Sequence, residues 1–518
     1  MSNSKLPFKK YDCNQIMLLP PSLDELIADT HPVRVVSGVI DSIDLQLLIK
    51  EYKGGGTTAH HPKMLLKLLV YGYISNIYSS RKLEALATEN VPTMWLVAMN
   101  RPDHNTINRF RSERLKNVLK EVFSQVVLLL AQSGHLDLQE AYTDGTKIEA
   151  NANKYTFVWG NSIKTNKEKI AAQLEELWDY SQQVAQHEQT QHQPTLDLST
   201  LTPELVEQTL QSIESNLSSV NKQTENTITY KKKKQKVNYA KRNWSSKLRE
   251  YRQKEQILNQ RNSYSKTDVD ATFMRMKDDH MQNGQLKAGY NLQISTNRQF
   301  ILHYTLHQKP SDSTTFIPHF KSFKNYLHQY PKNITADAGY GSHENYQFME
   351  DQSINAYVKY NYFHKEQKNN KAQQDDLKDV SKLYYDSEHD HYICPMGQVM
   401  KKIGQTHQST QNGYVQNKTI YQAQNCNGCP LQTSCHKAKG HRQIQINHQL
   451  NRLKSKAKSN LLSEQGIKRR KQRPADVEAV FGNLKQNKGF TRFSLRGLEK
   501  VEIETGLMAL AHNLAKVA

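Results

Sequence analysis

The stretch NITADAGYGSHEN, from Asn333 to Asn345, is the part of the sequence that decides how the fold is read. Its first residues predict a short buried strand that ends in an acid, Asp337. Gly339 and Gly341 then predict a sharp bend, and Ser342 is a good N-cap for a following helix. A single acid at a strand end is commonplace, since it can cap a helix or face solvent. Asp337 becomes informative only if other acids join it.

The bulk composition indicates a polyanionic partner. The 518 residues are enough for two to four domains, and 70 Lys+Arg against 50 Asp+Glu give a formal charge of +20 and a pI near 9.4. Charge of this sign and size favours nucleic acid, although a basic surface can also serve solubility. The run Lys231, Lys232, Lys233 and Lys234 concentrates the charge and favours a nucleic-acid contact.

The composition also predicts where the protein works. Hydrophobic residues make up 37% of the chain, the mean hydropathy is -0.77, and no stretch approaches the ~20 apolar residues of a membrane span. The N-terminal residues MSNSKLPFKKYDC contain no apolar signal region. Five cysteines in so long a chain argue for a reducing compartment. We therefore expect a cytoplasmic protein with no membrane partner.

The first part of the chain, residues 1–135, is predicted to be a helical domain. Asp103 is a plausible N-cap, and Leu115 to Leu130 carries apolar residues at helical spacing. The segment Thr106-Ile107-Asn108-Arg109 suits a helix-turn-helix that reads DNA, with Arg109 as a contact. An ordinary helical bundle with a polar face explains the same pattern equally well.

The next segments predict a strand and then an insertion. HLDLQEAYTDGTKIEA reads as a strand that ends at Asp144. Residues 161–261 are polar, and two apolar stripes at coiled-coil spacing predict a helical hairpin inserted into another domain. The stripes are Ile170, Leu174, Leu177 and Val184, then Val206, Leu210, Ile213, Leu217 and Val220.

Strand signals return after the insertion. Tyr290–Ser295 and Phe300–His307 predict a hairpin with its turn at 296–298, followed by a helix, the strand ending at Asp337, a helix and a strand at 356–360. This order predicts a mixed α+β or α/β fold with one central mixed sheet covered by helices. We assign residues 136–160, 262–365 and 455–518 to this core.

Two acids at neighbouring strand ends would form a metal site. Asp144 and Asp337 would repel each other, and a hard divalent cation such as Mg²⁺ or Mn²⁺ would relieve that repulsion. The glycines beside them would let a phosphate backbone approach. A third ligand is available in RPADVEAVFGNLKQNKGF, an amphipathic helix. Periodicity leaves Glu478 and Asp476 both open for this role.

These motifs together resemble those of bacterial insertion-sequence transposases of the DDE type, and most closely the group named after insertion sequence 1182. The resemblance covers nearly the whole chain. The family's helical N-terminal domain is similar to the stretches HPKMLLKLLVYGYISNIYSSRKLE and RPDHNTINRFR of this chain. The family's three acid motifs are similar to YTDGTKIEANANK, ITADAGYGS and VEAVFGNLKQNKGFTRF. The resemblance implies Asp144, Asp337 and Glu478 as the catalytic acids.

The resemblance further implies a ribonuclease H-like catalytic core in which the three acids hold two Mg²⁺ or Mn²⁺ ions for DNA cleavage and strand transfer. The implied partners are double-stranded DNA, the element's terminal inverted repeats and target DNA, with a homodimer or larger assembly on DNA in the bacterial nucleoid. Lys485 would contact a phosphate. Relatives often carry Arg four residues before the catalytic Glu, where this chain has Pro474, so Arg473 and Arg470 are the nearest candidates for a phosphate contact.

A Cys-rich insertion is predicted at residues 380–445. Cys426 and Cys429 have the spacing of a metal knuckle, and Cys394 begins a similar turn. Four thiolates suit a tetrahedral structural Zn²⁺. Four unrelated thiols are the alternative, and His391 or His436 could replace one ligand. The proposed ligands are Cys394, Cys426, Cys429 and Cys435.

The sequence leaves two other functions open. One is a DNA-binding relative that has lost catalysis, against which the intact acids argue. The other is a metal-dependent DNA nuclease without strand transfer, whose active site would look the same.

Overall fold

The computed structural model describes residues 22–50, 52, 59–186, 197, 200–218, 227–276, 284–367, 377–410 and 412–518. The chain divides into two compact units, one of residues 1–136 with 503–518 and the other of residues 137–502. Sequence reasoning placed all of 455–518 in the catalytic core, whereas residues 503–518 cluster with the N-terminal helices. The reason is that the last helix is apolar along this part and buries Leu507, Leu510 and Leu514.

The first unit is helical. Pro62 occupies the first turn of the helix Pro62–Ile74. The Asp103 carboxylate caps the helix His104–Arg109 by accepting a hydrogen bond from the Thr106 backbone N–H at 2.8 Å. A π-helical turn, Phe110–Arg114, continues that helix. The helices are α1 Pro32–Ser42, α2 Gln46–Lys50, α3 Pro62–Ile74, α4 Ser80–Glu89, α5 Val91–Leu96, α6 His104–Arg109 and α7 Leu119–Gln132.

The second unit contains a mixed sheet of six strands. Its strands are β1 Glu140–Glu149, β4 Thr272–Arg275, β5 Leu286–Asn297, β6 Phe300–His307, β7 Asn333–Ala336 and β8 Asn355–Val358, while β2 Phe157–Trp159 and β3 Ser263–Ser265 pair separately. The order in the sheet is β4-β5-β1-β7-β8, and β6 also pairs with β5. The central strand β1 runs antiparallel to β5 and parallel to β7. The predicted mixed α/β class is confirmed.

The β5–β6 hairpin is longer than predicted, and its turn lies at Arg298 and Gln299. Both residues have positive φ, 50° and 64°, which matches the twist of a two-residue hairpin. Thr296 and Asn297, expected in the turn, still pair with β6.

The inserted region holds three helices within its described residues, where sequence reasoning gave two. They are α8 Gly160–Gln186, α9 Pro203–Ser218 and α10 Ile228–Leu258. The third was missed because lysines dominate it, yet Val237, Ala240, Trp244 and Leu248 keep helical spacing and join one core with α8 and α9. The predicted Val220 and the loop 187–195 lie outside the described residues.

Helices cover the mixed sheet, and a second sheet follows. The second sheet is antiparallel in the order β13-β12-β11-β10-β9. Its strands are β9 Tyr384–Asp386, β10 His391–Ile393, β11 Val399–Ser409, β12 Val415–Ala423 and β13 Gln443–Ile446.

The remaining α-helices are α11 Phe316–Leu327, α12 His343–Asp351, α13 Phe363–Glu366, α14 Gln432–Cys435, α15 His448–Leu462, α16 Glu464–Arg473, α17 Ala479–Gly482 and α18 Leu498–Val517, with π-helical segments Pro474–Glu478 and Asn483–Asn487 on either side of α17. Among the described helices, none is long and apolar enough to cross a membrane.

Candidate metal-binding active site

Two of the predicted acids lie at neighbouring positions of the mixed sheet. Strands β1 and β7 run parallel, and their last paired residues are Thr143 and Ala336. Asp144 and Asp337 each follow one of these residues, so their backbones are adjacent across the strands. The prediction that β1 ends at Asp144 is wrong, because Asp144 lies in the middle of the strand. The strand continues to Glu149 because β5 pairs with it on the other side.

Glu478 approaches Asp144 through a shared arginine. The Arg473 guanidinium places Nη2 2.9 Å from Asp144 Oδ2 and Nη1 2.7 Å from Glu478 Oε1. The arginine side chain is 7% exposed and that of Asp144 is 14% exposed, whereas Glu478 is half-exposed. Arg473 comes from the last turn of α16, and the π-helical segment after it presents Glu478. Both carboxylates therefore meet at one buried cation.

Asp476, the alternative third ligand, points elsewhere. Its Oδ1 accepts hydrogen bonds from the Thr296 hydroxyl at 2.6 Å and the Gln299 backbone N–H at 3.1 Å. Burial raises the pKa of the Asp476 carboxyl, while these two hydrogen bonds act in the opposite direction. Asp476 thus fixes the β5–β6 turn, and Glu478 is the acid beside Asp144.

Asp337 is the most accessible of the three acids. Its side chain is 53% exposed, and Lys359 Nζ lies 3.7 Å from its Oδ1. The three carboxylates, all within the described residues, do not all come within 4.8 Å of one another. Arg473 and Lys359 thus supply two positive charges among three acids, which compensates most of their mutual repulsion.

Two of the glycines near the acids are required by the packing of the protein itself. A Cβ on Gly145 would collide with the Gln293 amide and would lie 2.8 Å from Asp312 Oδ1, and a Cβ on Gly341 would collide with the Lys359 carbonyl. Protein atoms occupy the space that a side chain would need at these two positions. Gly339 is more open, since the nearest atoms to a Cβ built there would be those of Asp312, 3.8 and 3.9 Å away.

Asp312 is a fourth acid near this site. Its Oδ1 accepts hydrogen bonds from the Asn291 and Gln293 amides at 2.9 and 3.0 Å. The buried Tyr340 hydroxyl in turn donates to Gln293 Oε1. Burial, followed by the charges of Asp312 and Asp144, raises the pKa of Tyr340 well above its usual value. No sequence signal marked Asp312, because its partners are on β5.

The predicted DNA-contacting residues occupy different environments. Arg109 is exposed at the end of α6 in the first unit, and Lys485 is half-buried in the π-helical segment after α17. Lys231, Lys232 and Lys234 are exposed on α10, whereas Lys233 Nζ pairs with Glu176 Oε1 at 2.6 Å. The placement of Arg473 between two carboxylates differs from that of a residue presented to a phosphate.

The four predicted zinc ligands line one small cavity, together with His436 and Arg442. Backbone N–H groups of Gln398 and Arg442 donate to the sulfurs of Cys394 and Cys426 at 3.3 Å, and Arg442 Nη1 lies 2.9 Å from Cys435 Sγ. No three of these four sulfurs, which the structure describes in full, come within 4.8 Å of one another.

The two histidines named as replacement ligands are separated by the structure. His436 lies at the cysteine cavity, and neither of its buried ring nitrogens has a hydrogen-bond partner among the described residues. His391 is not among the described residues that line this cavity and instead approaches Asp386. Of the two histidines, only His436 therefore lies where it could replace one of the cysteine ligands.

Two parts of the chain match families of known proteins. Residues 393–518 match a family model described as a transposase DDE domain, and residues 21–113 match one described as a transposase domain. The first match contains the four cysteines of the cavity and Glu478, and lies beyond Asp144 and Asp337. No curated protein matches the chain significantly. The two matches support a DDE-type insertion-sequence transposase.

Proposed function

We propose that this protein is a DDE transposase that binds the ends of its insertion sequence and catalyses divalent-metal-dependent DNA cleavage and strand transfer. The observation that carries the proposal is the meeting of Asp144 and Glu478 at Arg473, with Asp337 next to Asp144 in the sheet register. These acids come from three distant parts of the sequence, and two transposase family matches flank or include them. Three antiparallel strands continued by two parallel ones, β6-β5-β1-β7-β8, support a ribonuclease H-like core.

The residues present fit a hard divalent cation. Carboxylate oxygens are the donors that Mg²⁺ and Mn²⁺ prefer, and Asp144, Asp337 and Glu478 supply them on one side of the sheet. Arg473 and Lys359 show that positive charge is accepted among these acids. When bound, paired cations would activate the attacking oxygen and stabilise the leaving oxygen in phosphodiester cleavage.

The chain's own residues would position the reactants. The β1–β7 pairing holds Asp144 within β1 and Asp337 directly after the end of β7, which suits a site that must hold a phosphate in line with its nucleophile. Once cations occupy the acids, Arg473 would lose its place between Asp144 and Glu478 and could pair with a phosphate, which guanidinium groups bind bidentately. Lys485, seven residues after Glu478, is proposed as a further phosphate contact.

We also propose a structural Zn²⁺ at Cys394, Cys426, Cys429 and Cys435. The support is their shared cavity and the donors aimed at their sulfurs. The expected result is one bound zinc per chain fewer in Cys429→Ser than in wild type, and no loss of zinc in Cys13→Ser. A zinc-free wild-type protein would contradict the proposal.

Cleavage of DNA that carries the element's terminal inverted repeats tests the main proposal. Asp144→Asn, Asp337→Asn and Glu478→Gln each remove one negative charge and should abolish Mg²⁺-dependent cleavage, while DNA binding persists. Asp351→Asn, an exposed acid at the end of α12, is the matched control and should cleave normally. Wild-type cleavage by Asp337→Asn would refute the metal site.

The same assay separates the alternatives. A product in which the element's end is joined to target DNA indicates a transposase, whereas cleavage without joining indicates a nuclease. A wild-type protein that binds the ends and neither cuts nor joins them would be a non-catalytic relative.

A further inference from the structure

A second group of metal-ligand side chains lies on the β9–β10 hairpin. Asp386 ends β9 and His391 begins β10, and the two residues face each other in the strand register. His389 lies in the connecting turn. Its Nδ1 is 2.9 Å from Asp386 Oδ2, and His391 Nε2 is 3.7 Å from the same oxygen. One ligand atom from each residue therefore lies within 4.8 Å of the other two.

The hairpin holds this group in place by contacts that leave the ligand atoms available. Asp386 Oδ1 accepts hydrogen bonds from the backbone N–H groups of Glu388 and His389 at 3.0 and 3.4 Å, which fixes the turn and directs Oδ2 toward the two imidazoles. The next residue, Asp390, has a positive φ of 48° and accepts a hydrogen bond from the Tyr385 hydroxyl at 2.9 Å. The turn is thus tied to the sheet on both sides.

The group is open on one side and supported on the other. The His389 side chain is 69% exposed, whereas those of His391 and Asp386 are 18% and 25% exposed. An ion could enter from solvent past His389 and reach two ligands that the sheet already positions. The exposed side would leave coordination positions for water or a further ligand.

We propose that Asp386, His389 and His391 form a binding site for a divalent transition-metal ion such as Zn²⁺, Co²⁺ or Ni²⁺. Two imidazoles and one carboxylate suit these ions, whereas Mg²⁺ prefers oxygen ligands alone. The site differs from the cysteine cavity in its ligands, and from the three acids in both ligands and sheet. It does not depend on the proposed transposase activity. Ordinary His–Asp hydrogen bonds are the competing explanation of the geometry.

Counting bound Co²⁺ tests the site on the full-length protein. Equilibrium dialysis in excess Mg²⁺, which keeps the carboxylate site occupied, should show one more Co²⁺ per chain for wild type than for His389→Ala. Loss of one of three ligands should weaken this binding at least about a hundredfold, since even partners outside the ligand shell contribute 10–100-fold. The near-ultraviolet absorption of any thiolate-bound Co²⁺ should be the same in both proteins.

Two further variants keep the result interpretable. Asp386→Asn retains an oxygen that can accept the Glu388 and His389 N–H groups, so the turn should persist while the extra ion is lost. His407→Ala removes an exposed histidine of β11 in the same sheet and should keep the extra ion. Equal Co²⁺ counts in wild type, His389→Ala and Asp386→Asn would overturn the proposal, as would loss of the ion in His407→Ala.

Discussion

Replacing Arg473 with glutamine should loosen the candidate active site without metal and strengthen its metal binding. Arg473 is nearly buried and touches two acids, Asp144 and Glu478. A glutamine side chain at this position would keep much of the length of the arginine but would remove its charge. The mostly buried Asp144 carboxylate would then lose the positive charge of Arg473 and would keep the hydrogen bond from the Gly145 backbone N–H at 2.8 Å.

The stability lost when the Arg473 charge is removed depends on how deeply each of its two ion pairs is buried. Breaking a buried ion pair costs about 3–5 kcal/mol, and the lower end applies here because Asp144 keeps that hydrogen bond. The pair with half-exposed Glu478 adds at most about 1 kcal/mol, because solvent screens it. We therefore expect local opening of β1 to become easier by about 3 kcal/mol, which corresponds to roughly a hundredfold faster amide exchange in residues 140–149.

Metal binding should change in the opposite direction. In the wild-type protein a cation must displace Arg473 from Asp144 and Glu478, and in the variant it need not. Each ~1.4 kcal/mol of ion-pair free energy that no longer has to be broken tightens binding tenfold, so Mn²⁺ affinity should rise at least about tenfold. Saturating Mn²⁺ should then restore much of the lost exchange protection, because binding stabilises the folded state.

Hydrogen exchange with and without Mn²⁺, together with Mn²⁺ titration by electron paramagnetic resonance, measures both effects. Arg452→Gln is the control, since Arg452 pairs with Glu350 at the surface and should change exchange in residues 140–149 by little. Weaker Mn²⁺ binding by Arg473→Gln would show that the arginine organises the acids for metal and does not compete with it. Unchanged exchange would refute the buried-pair reasoning.

Three other predictions follow from single contacts. Burial raises the pKa of Asp476 in the folded protein, so the protonated carboxyl stabilises the fold at low pH and this stabilisation is lost as pH rises through that pKa. Asp476→Asn keeps the accepting oxygen, so its free energy of unfolding near neutral pH should exceed that of wild type, with cleavage intact. A destabilised Asp476→Asn would refute this explanation. Gly145→Ala would collide with Gln293 and should lower the free energy of unfolding, measured by chemical denaturation, by about 1–3 kcal/mol. Gly482→Ala, which has open space around the added methyl group, should not lower it, and equal stability of the two variants would contradict the collision. Changing the exposed lysines of α10 to Gln should weaken DNA binding to all sequences and flatten its salt dependence by up to about 0.9 log unit per lost phosphate contact, as measured by salt titration; an unchanged slope would show that α10 does not touch DNA. These lysines are Lys231, Lys232 and Lys234.

Sequence patterns predicted the local elements of the sheet better than its long-range partners. The order of strand, hairpin, helix and strand could be read from alternation and turn residues, because each signal spans only a few neighbours. The length of β1 could not, since its second half exists through pairing with β5, more than a hundred residues away. The helix α10 was missed because its charged surface outweighs a narrow apolar stripe.

The same distinction applies to the candidate site. Motifs pointed to Asp144, Asp337 and Glu478, and the register of β1 and β7 places the first two side by side. Periodicity could not choose between Asp476 and Glu478, because both lie on one short helical segment and only the position of the β5–β6 turn separates them. Arg473 as the shared cation, and Asp312 as a fourth acid, depend on contacts between elements that no local pattern encodes.

Arg473 reaches Glu478 across an irregular stretch of helix. Pro474 begins the π-helical segment that carries Glu478, and a π-helical turn rotates the side chains on either side of it relative to an ordinary helix. With that geometry, an arginine five residues before Glu478 reaches the Glu478 carboxylate at 2.7 Å. A Pro474→Ala variant that restored regular α-helix here would move Arg473 away from Glu478, and the arginine's position thus depends on the same irregular turn that presents the acid.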